Sequence, residues 1–185
     1  LAPVFYTLAQ VQFNPIAQMV DYVPRLQEHL RLNGFPDFRA ENQIEVTFRR
    51  LDEPQPDVQP QHHVRWSFTN TQGTEGYLLL SNTLVFHTTA YTTFEDFLQK
   101  AIAGLRLVDK IVKLAYVERI GLRYLDAVVP TENETLQQYL NSSLLGLSST
   151  LDGVLSHSYT ETVILVEDGT LVTRAVTTDG SLALS

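Results

Sequence analysis

Two arginines four residues apart, Arg119 and Arg123, flank Gly121 in the segment ERIGLRYLDAVVP, Glu118 to Pro130. A guanidinium carries a planar fork of donors that fits a carboxylate or phosphate with two parallel hydrogen bonds. On a strand, alternate residues share a face, so both arginines and the glycine lie on one side, each arginine about 7 Å from the glycine. A glycine between them leaves room for a ligand or another backbone. Arg119, Gly121 and Arg123 are therefore the candidate anion clamp, with a small anionic ligand as its expected occupant. The leading expectation for these residues is nonetheless a solvated sheet face on which both arginines pair with carboxylates of neighbouring strands. On the other face Ile120, Leu122 and Tyr124 are apolar and are expected to pack under a helix.

Other residue types capable of chemistry form no constellation. His62 and His63 are adjacent, and adjacent strand residues point to opposite faces, so they do not share an ion. His87 has no acidic or histidine partner at ligand spacing, and no metal site is expected. Glu118 and Asp126 are eight residues apart on one strand, about 26 Å, far beyond an acid–base pair. Gly73, Gly76 and Gly104 follow no phosphate-loop pattern, and there is no Gly-x-Ser-x-Gly elbow. The serines of LLGLSST read as a helix terminus and loop. No cofactor is expected. The Tyr and Phe residues fall at core spacing and do not demand a stacking platform for nucleic acid.

Composition narrows the classes further. The chain has 185 residues, 44% of them hydrophobic and 18% charged, so a substantial core is expected and global disorder is not. The formal charge of −8 opposes long-range attraction to a polyphosphate, which argues against a nucleic-acid partner. Without cysteine there are no disulfides and no thiolate chemistry, which fits a reducing compartment and a cytoplasmic location. No apolar run reaches the roughly 18–20 residues that cross a bilayer, so no membrane partner is expected. The N-terminus carries no signal-peptide pattern and no Met, as in a trimmed chain. The triplets at Asn133 and Asn141 match the glycosylation pattern and are discounted without a secretion signal.

The elements that must position the arginines follow from periodicity. Residues 3–14 read as a strand with Phe5, Thr7, Ala9, Val11 and Phe13 on one face, ended by Asn14-Pro15. Ile16, Met19, Val23, Leu26 and Leu30 form a helical stripe; Pro24 predicts that the regular part starts near Val23, and Gly34 closes it. Strands follow around Ile44–Phe48, Val64–Phe68, Glu75–Leu80 and Leu84–Tyr91, with antiparallel pairing expected. The Pro-rich stretch Asp52–Pro60 reads as a mobile loop. A long helix begins at a capping box of Thr92 and Glu95 and presents a stripe through Phe97, Ile102 and Leu105. A strand from about Tyr116 to Val129 then starts the order again. LQQYL (Leu136–Leu140) echoes LQEHL (Leu26–Leu30), and a hairpin turns at Asp168-Gly169.

This order predicts an α+β protein of tandem strand–helix–four-strand–helix units, 1–113 and 114–185, the second incomplete. It resembles the half-saddle of the TATA-binding-protein-like fold and the helix-grip fold, which implies a curved antiparallel sheet with helices on one face and implies no function. GLRYLD (Gly121–Asp126), VQFNP (Val11–Pro15) and LRLNGFP (Leu30–Pro36) resemble a sporadically distributed family of uncharacterised bacterial proteins with no known activity; that resemblance implies a longer protein and no catalytic residues. The missing half-unit predicts a fragment, or a homodimer or protein partner at the C-terminal sheet edge. The leading expectation is a non-enzymatic ligand- or protein-binding module. The alternatives are an enzyme acting on an anionic small molecule through a cleft containing Arg119 and Arg123, and a nucleic-acid-binding protein.

Overall fold

The protein is a mixed α+β chain in a computed structural model that describes residues 4–49 and 57–178, with backbone alone for 43–49 and 57–63. The elements run β1 (Val4–Phe13), α1 (Met19–Leu32), β2 (Asp37–Arg49), β3 (Asp57–Thr69), β4 (Glu75–Leu79), β5 (Thr83–Thr88), α2 (Phe94–Val112) and β6 (Val117–Asp126). After them come α3 (Ser142–Leu145) between two short 3-10 turns, β7 (His157–Val166) and β8 (Gly169–Thr178). β1 to β6 form one antiparallel sheet in the order β2-β3-β4-β5-β1-β6, and β7 pairs with β8 alone. No described helix is long and apolar enough to cross a membrane.

One face of the six-stranded sheet carries the core. Ala9 and Phe13 of β1, Trp66 and Phe68 of β3, Tyr77 and Leu79 of β4, and Leu84 and Phe86 of β5 are buried. They meet Met19, Val23, Leu26 and Leu30 of α1, and Phe97, Val108, Ile111 and Val112 of α2. Burying each large apolar side chain stabilises by about 1.5–3 kcal/mol, so this cluster dominates the first unit. The alternation read in β1 holds from Thr7 to Phe13, all four odd residues being buried.

Several boundaries differ from the expectations. α1 begins at Met19, and Pro24 lies inside it. The cost is one missing bond to the Val20 carbonyl, and because Val20 and Pro24 are exposed, water can take its place. α1 ends as expected: Gly34 takes φ +94, and the Phe35 N–H donates to the Leu30 carbonyl at 3.0 Å. The cap of α2 is Thr93, whose hydroxyl accepts from the Asp96 N–H at 3.2 Å, while the Thr92 hydroxyl donates to the Asp96 carboxylate. The buried stripe of α2 runs Phe97, Gly104, Val108, Ile111 and Val112; Ile102 and Leu105 are half-buried at its margin.

The Pro-rich stretch is divided. Asp57 to Pro60 pair with β2, and Pro60 is tolerated because β4 contacts β3 only from Trp66 to Thr69. The rest of that loop lies outside the described residues.

The chain separates into two compact units at Asp126/Ala127, not at 113/114, because β6 completes the first sheet. In the second unit the LQQYL echo is no amphipathic helix. Leu136–Gln138 makes one 3-10 turn under a Thr135–Gln138 capping box. Asn141 then caps a new start by accepting from the Ser143 N–H, so the two turns never merge. Gly146, at φ +58, ends α3 where a Cβ would fall 2.8 Å from the Thr160 hydroxyl. The β7–β8 loop is Glu167-Asp168, one residue earlier than expected, since Val166 already faces Gly169. Of the described residues in this unit only Leu145 is buried.

Candidate functional site

Local features fix where β6 starts. Lys113 ends α2 in the left-handed region, and its N–H donates to the Asp109 carbonyl. The Asn14 side-chain oxygen then accepts from the N–H groups of Ala115 (2.9 Å) and Tyr116 (3.4 Å). The Asn-Pro pair that stops β1 therefore also sets the entry of β6 beside it. Ladder pairs follow: Val11 with Ile120, Ala9 with Leu122 and Thr7 with Tyr124. Directly opposed residues point to one side, so Ile120, Leu122 and Tyr124 face the helix side with the buried residues of β1.

They are not covered there. Ile120 is 65% exposed and Leu122 49%, against the expectation that this face packs under a helix. The buried residues of α2 join those of β4 and β5 in the core, leaving β6 at its margin. Tyr124 alone reaches the core rings, 5.7 Å from Tyr91 and 6.3 Å from Phe97. At the start of β6, Leu105, Arg106, Asp109, Leu114, Tyr116 and Val117 line an open groove of about 260 Å³.

Arg119, Gly121 and Arg123 lie on the opposite, helix-free side, facing Gln12, Gln10 and Leu8 of β1. Four residues of strand separate the arginine backbones by about 13 Å. No described residue forms a hydrogen bond or ion pair with either guanidinium. The ion-paired sheet face is therefore not what forms: the β1 neighbours are neutral, and no described strand pairs with the outer edge of β6. A Cβ at Gly121 would meet nothing within 4 Å, so the space above it is open.

Two further residues enter this face. Leu8 faces His87 of β5 on one side and Arg123 on the other, so His87, Leu8 and Arg123 form a row across three strands. Tyr6 stacks on His87 with ring centroids 5.8 Å apart. Burial pushes the His87 imidazole below its ordinary value, which favours its neutral form. Burial pushes the Tyr6 phenol up, and the charge of Arg123 partly opposes this.

Sequence reasoning singled out the arginines and missed Tyr6 and His87 as their neighbours. The alternation of β5 was readable; its pairing with β1, some 75 residues away, was not.

The β6 side of this face offers two cations, an imidazole and a phenol, with no nucleophile–base pair among its described residues. Glu118 and Asp126 stay eight residues apart along β6. His62 and His63 occupy successive positions of β3, opposite Ile44 and Gln43, and their side chains lie outside the described part. Among the described residues no three His, Asp or Glu side chains gather as metal ligands. Comparison with protein-family models, curated proteins and solved structures finds no match to this chain.

Proposed function

We propose that this α+β protein is a non-enzymatic binding module that holds an anionic group of its partner on the β6 side of the helix-free sheet face. The observation that carries this reading is the pair Arg119 and Arg123, on one face and without a described anionic neighbour. In a chain of charge −8, two such cations around an open glycine favour a carboxylate-rich or phosphorylated group. The absence of cysteine supports a reducing compartment, and we read the location as cytoplasmic. The test is fluorescence anisotropy with labelled hexaglutamate at low salt. Arg119→Ala/Arg123→Ala should weaken binding at least tenfold, and equal affinity in the double variant would overturn the reading.

A second reading, an enzyme acting on a small anionic molecule, draws on one observation: His87, stacked on Tyr6, shares a row with Arg123. Hydrolysis of a carboxylate or phosphate ester by the purified chain, lost in His87→Ala, would favour it over the binding module.

A further inference from the structure

The outer edge of β6 is a ten-residue strand with no described strand beside it, so its outward N–H and C=O groups are available for a ladder. The two faces of that edge carry different and specific demands. On the helix side Ile120 and Leu122 are exposed, whereas their β1 counterparts Val11 and Ala9 are buried, and a groove lined by Leu105, Arg106, Asp109, Leu114, Tyr116 and Val117 opens at the start of the strand. On the helix-free side Arg119 and Arg123 have no anionic partner among the described residues, and Gly121 leaves open space between them. Glu118 and Asp126, both exposed, lie where β6 shifts register against β1 at the two ends of this stretch.

From these we infer that β6 is the docking edge for an antiparallel strand of a partner polypeptide, whose sequence carries acidic residues four apart on one face and apolar residues on the other. Opposed residues of an antiparallel pair interact directly, so the complement can be written down. Facing Asp126 through Glu118, the partner reads basic, any, apolar, acidic, apolar, any, apolar, acidic, basic. The acidic positions meet Arg123 and Arg119. The apolar ones meet Tyr124, Leu122 and Ile120. The sixth position, midway between the two acidic ones, faces Gly121 and accepts a large side chain. The other edge of the neighbouring strand shows the apolar half of this pattern: β5 pairs with β1 and places Leu84 and Phe86 on the helix side, alternating with Val85 and His87. Backbone bonds supply affinity and alternate side chains supply selectivity. This inference rests on the reading of Arg119 and Arg123 as an anion site and names the partner that presents the anions.

The test uses the full chain and the acetylated, amidated peptide KTVEVTIEK. Three comparison peptides accompany it: KTVKVTIKK, a KTVEVTIEK copy N-methylated at alternate residues along the pairing edge, and labelled hexaglutamate. The expected result is binding of KTVEVTIEK with new amide-exchange protection in 117–126, at least tenfold weaker binding of KTVKVTIKK, and loss with the N-methylated copy. Arg119→Glu/Arg123→Glu, folded by circular dichroism, should reverse the preference toward KTVKVTIKK. If the N-methylated copy and hexaglutamate bind as well as the parent, the strand inference is overturned and the anion site stands. If neither KTVEVTIEK nor hexaglutamate binds, both are overturned. Equal binding of the acidic and basic peptides overturns the strand's charge pattern and with it the inference.

Discussion

The ring of Tyr77 occupies the space where position 104 of α2 would carry a side chain: a Cβ built on Gly104 falls 2.2 Å from Tyr77 Cε1. The ring cannot swing away. Phe35 and Phe86 hold it at centroid distances of 4.9 and 5.1 Å, and its hydroxyl donates to the Lys100 carbonyl at 2.8 Å. Alanine raises helix propensity by about 1 kcal/mol, whereas overpacking costs about 1–3 kcal/mol. With the ring fixed at three points, the steric term should win. Gly104→Ala should lower stability in urea denaturation by up to about 2 kcal/mol, and in a Tyr77→Leu background it should be neutral or stabilising.

The same tyrosine predicts alkaline behaviour. Burial holds its phenol well above the ordinary value, and the nearby Glu75 carboxylate adds to this. A raised value means that the fold favours the neutral phenol. That contribution is complete below about pH 10, the unfolded value, and is lost as pH rises from there toward the folded value. Stability should fall above about pH 10, and less steeply in Tyr77→Phe. An ultraviolet titration in which every tyrosine ionises before unfolding would contradict this.

His87 predicts the opposite limb. Its folded value is lowered by burial, so the fold favours the neutral imidazole. The associated stability is complete above about pH 6.5, the unfolded value, and is lost as pH falls through it toward the lowered value. His87→Phe keeps a ring against Tyr6 and removes the proton. Its urea midpoint should therefore drop less between pH 7.5 and 5 than that of the unaltered chain.

Asn14 anchors β6 to β1 through the Ala115 and Tyr116 N–H groups. Asn14→Ala should cost about 1 kcal/mol and speed amide exchange at the start of β6 more than in β4. Asn14→Asp keeps the acceptor and should restore most of the loss. Uniform exchange changes across the sheet would separate Asn14 from β6.

The α2 cap distinguishes neighbouring threonines. Thr93→Ala removes the bond from the Asp96 N–H and should cost about 1 kcal/mol. Thr92→Ala removes an exposed hydroxyl contact to the Asp96 side chain and should cost clearly less. Thermal unfolding of both variants measures the ranking; the reverse order would place the cap at Thr92.

Much of this molecule is written in local patterns. Alternation placed Thr7, Ala9, Val11 and Phe13 on one face, and the 3.6-residue period placed Met19, Val23, Leu26 and Leu30 on another, because side-chain direction follows from backbone geometry alone. Parity put Arg119, Gly121 and Arg123 on one side of β6 for the same reason. Local signals also misled where two fits compete. Thr92-x-x-Glu95 and Thr93-x-x-Asp96 have the same cap spacing, and LQQYL has a helical look that Asn141 interrupts with a cap of its own.

Which strands lie side by side was decided only in three dimensions. β6 pairs with β1 across more than a hundred residues, so the boundary moved from 113 to 126 and the neighbours of Arg119 and Arg123 became Gln12 and Leu8 rather than carboxylates. The same pairing brought His87 and Tyr6 into the row of Arg123. It also left Ile120 and Leu122 facing the helix side without a helix above them. Side-chain direction is a property of each strand, readable residue by residue. Register and cover are properties of the assembled sheet, set by how many distant apolar faces are buried at once, and no local pattern encodes them.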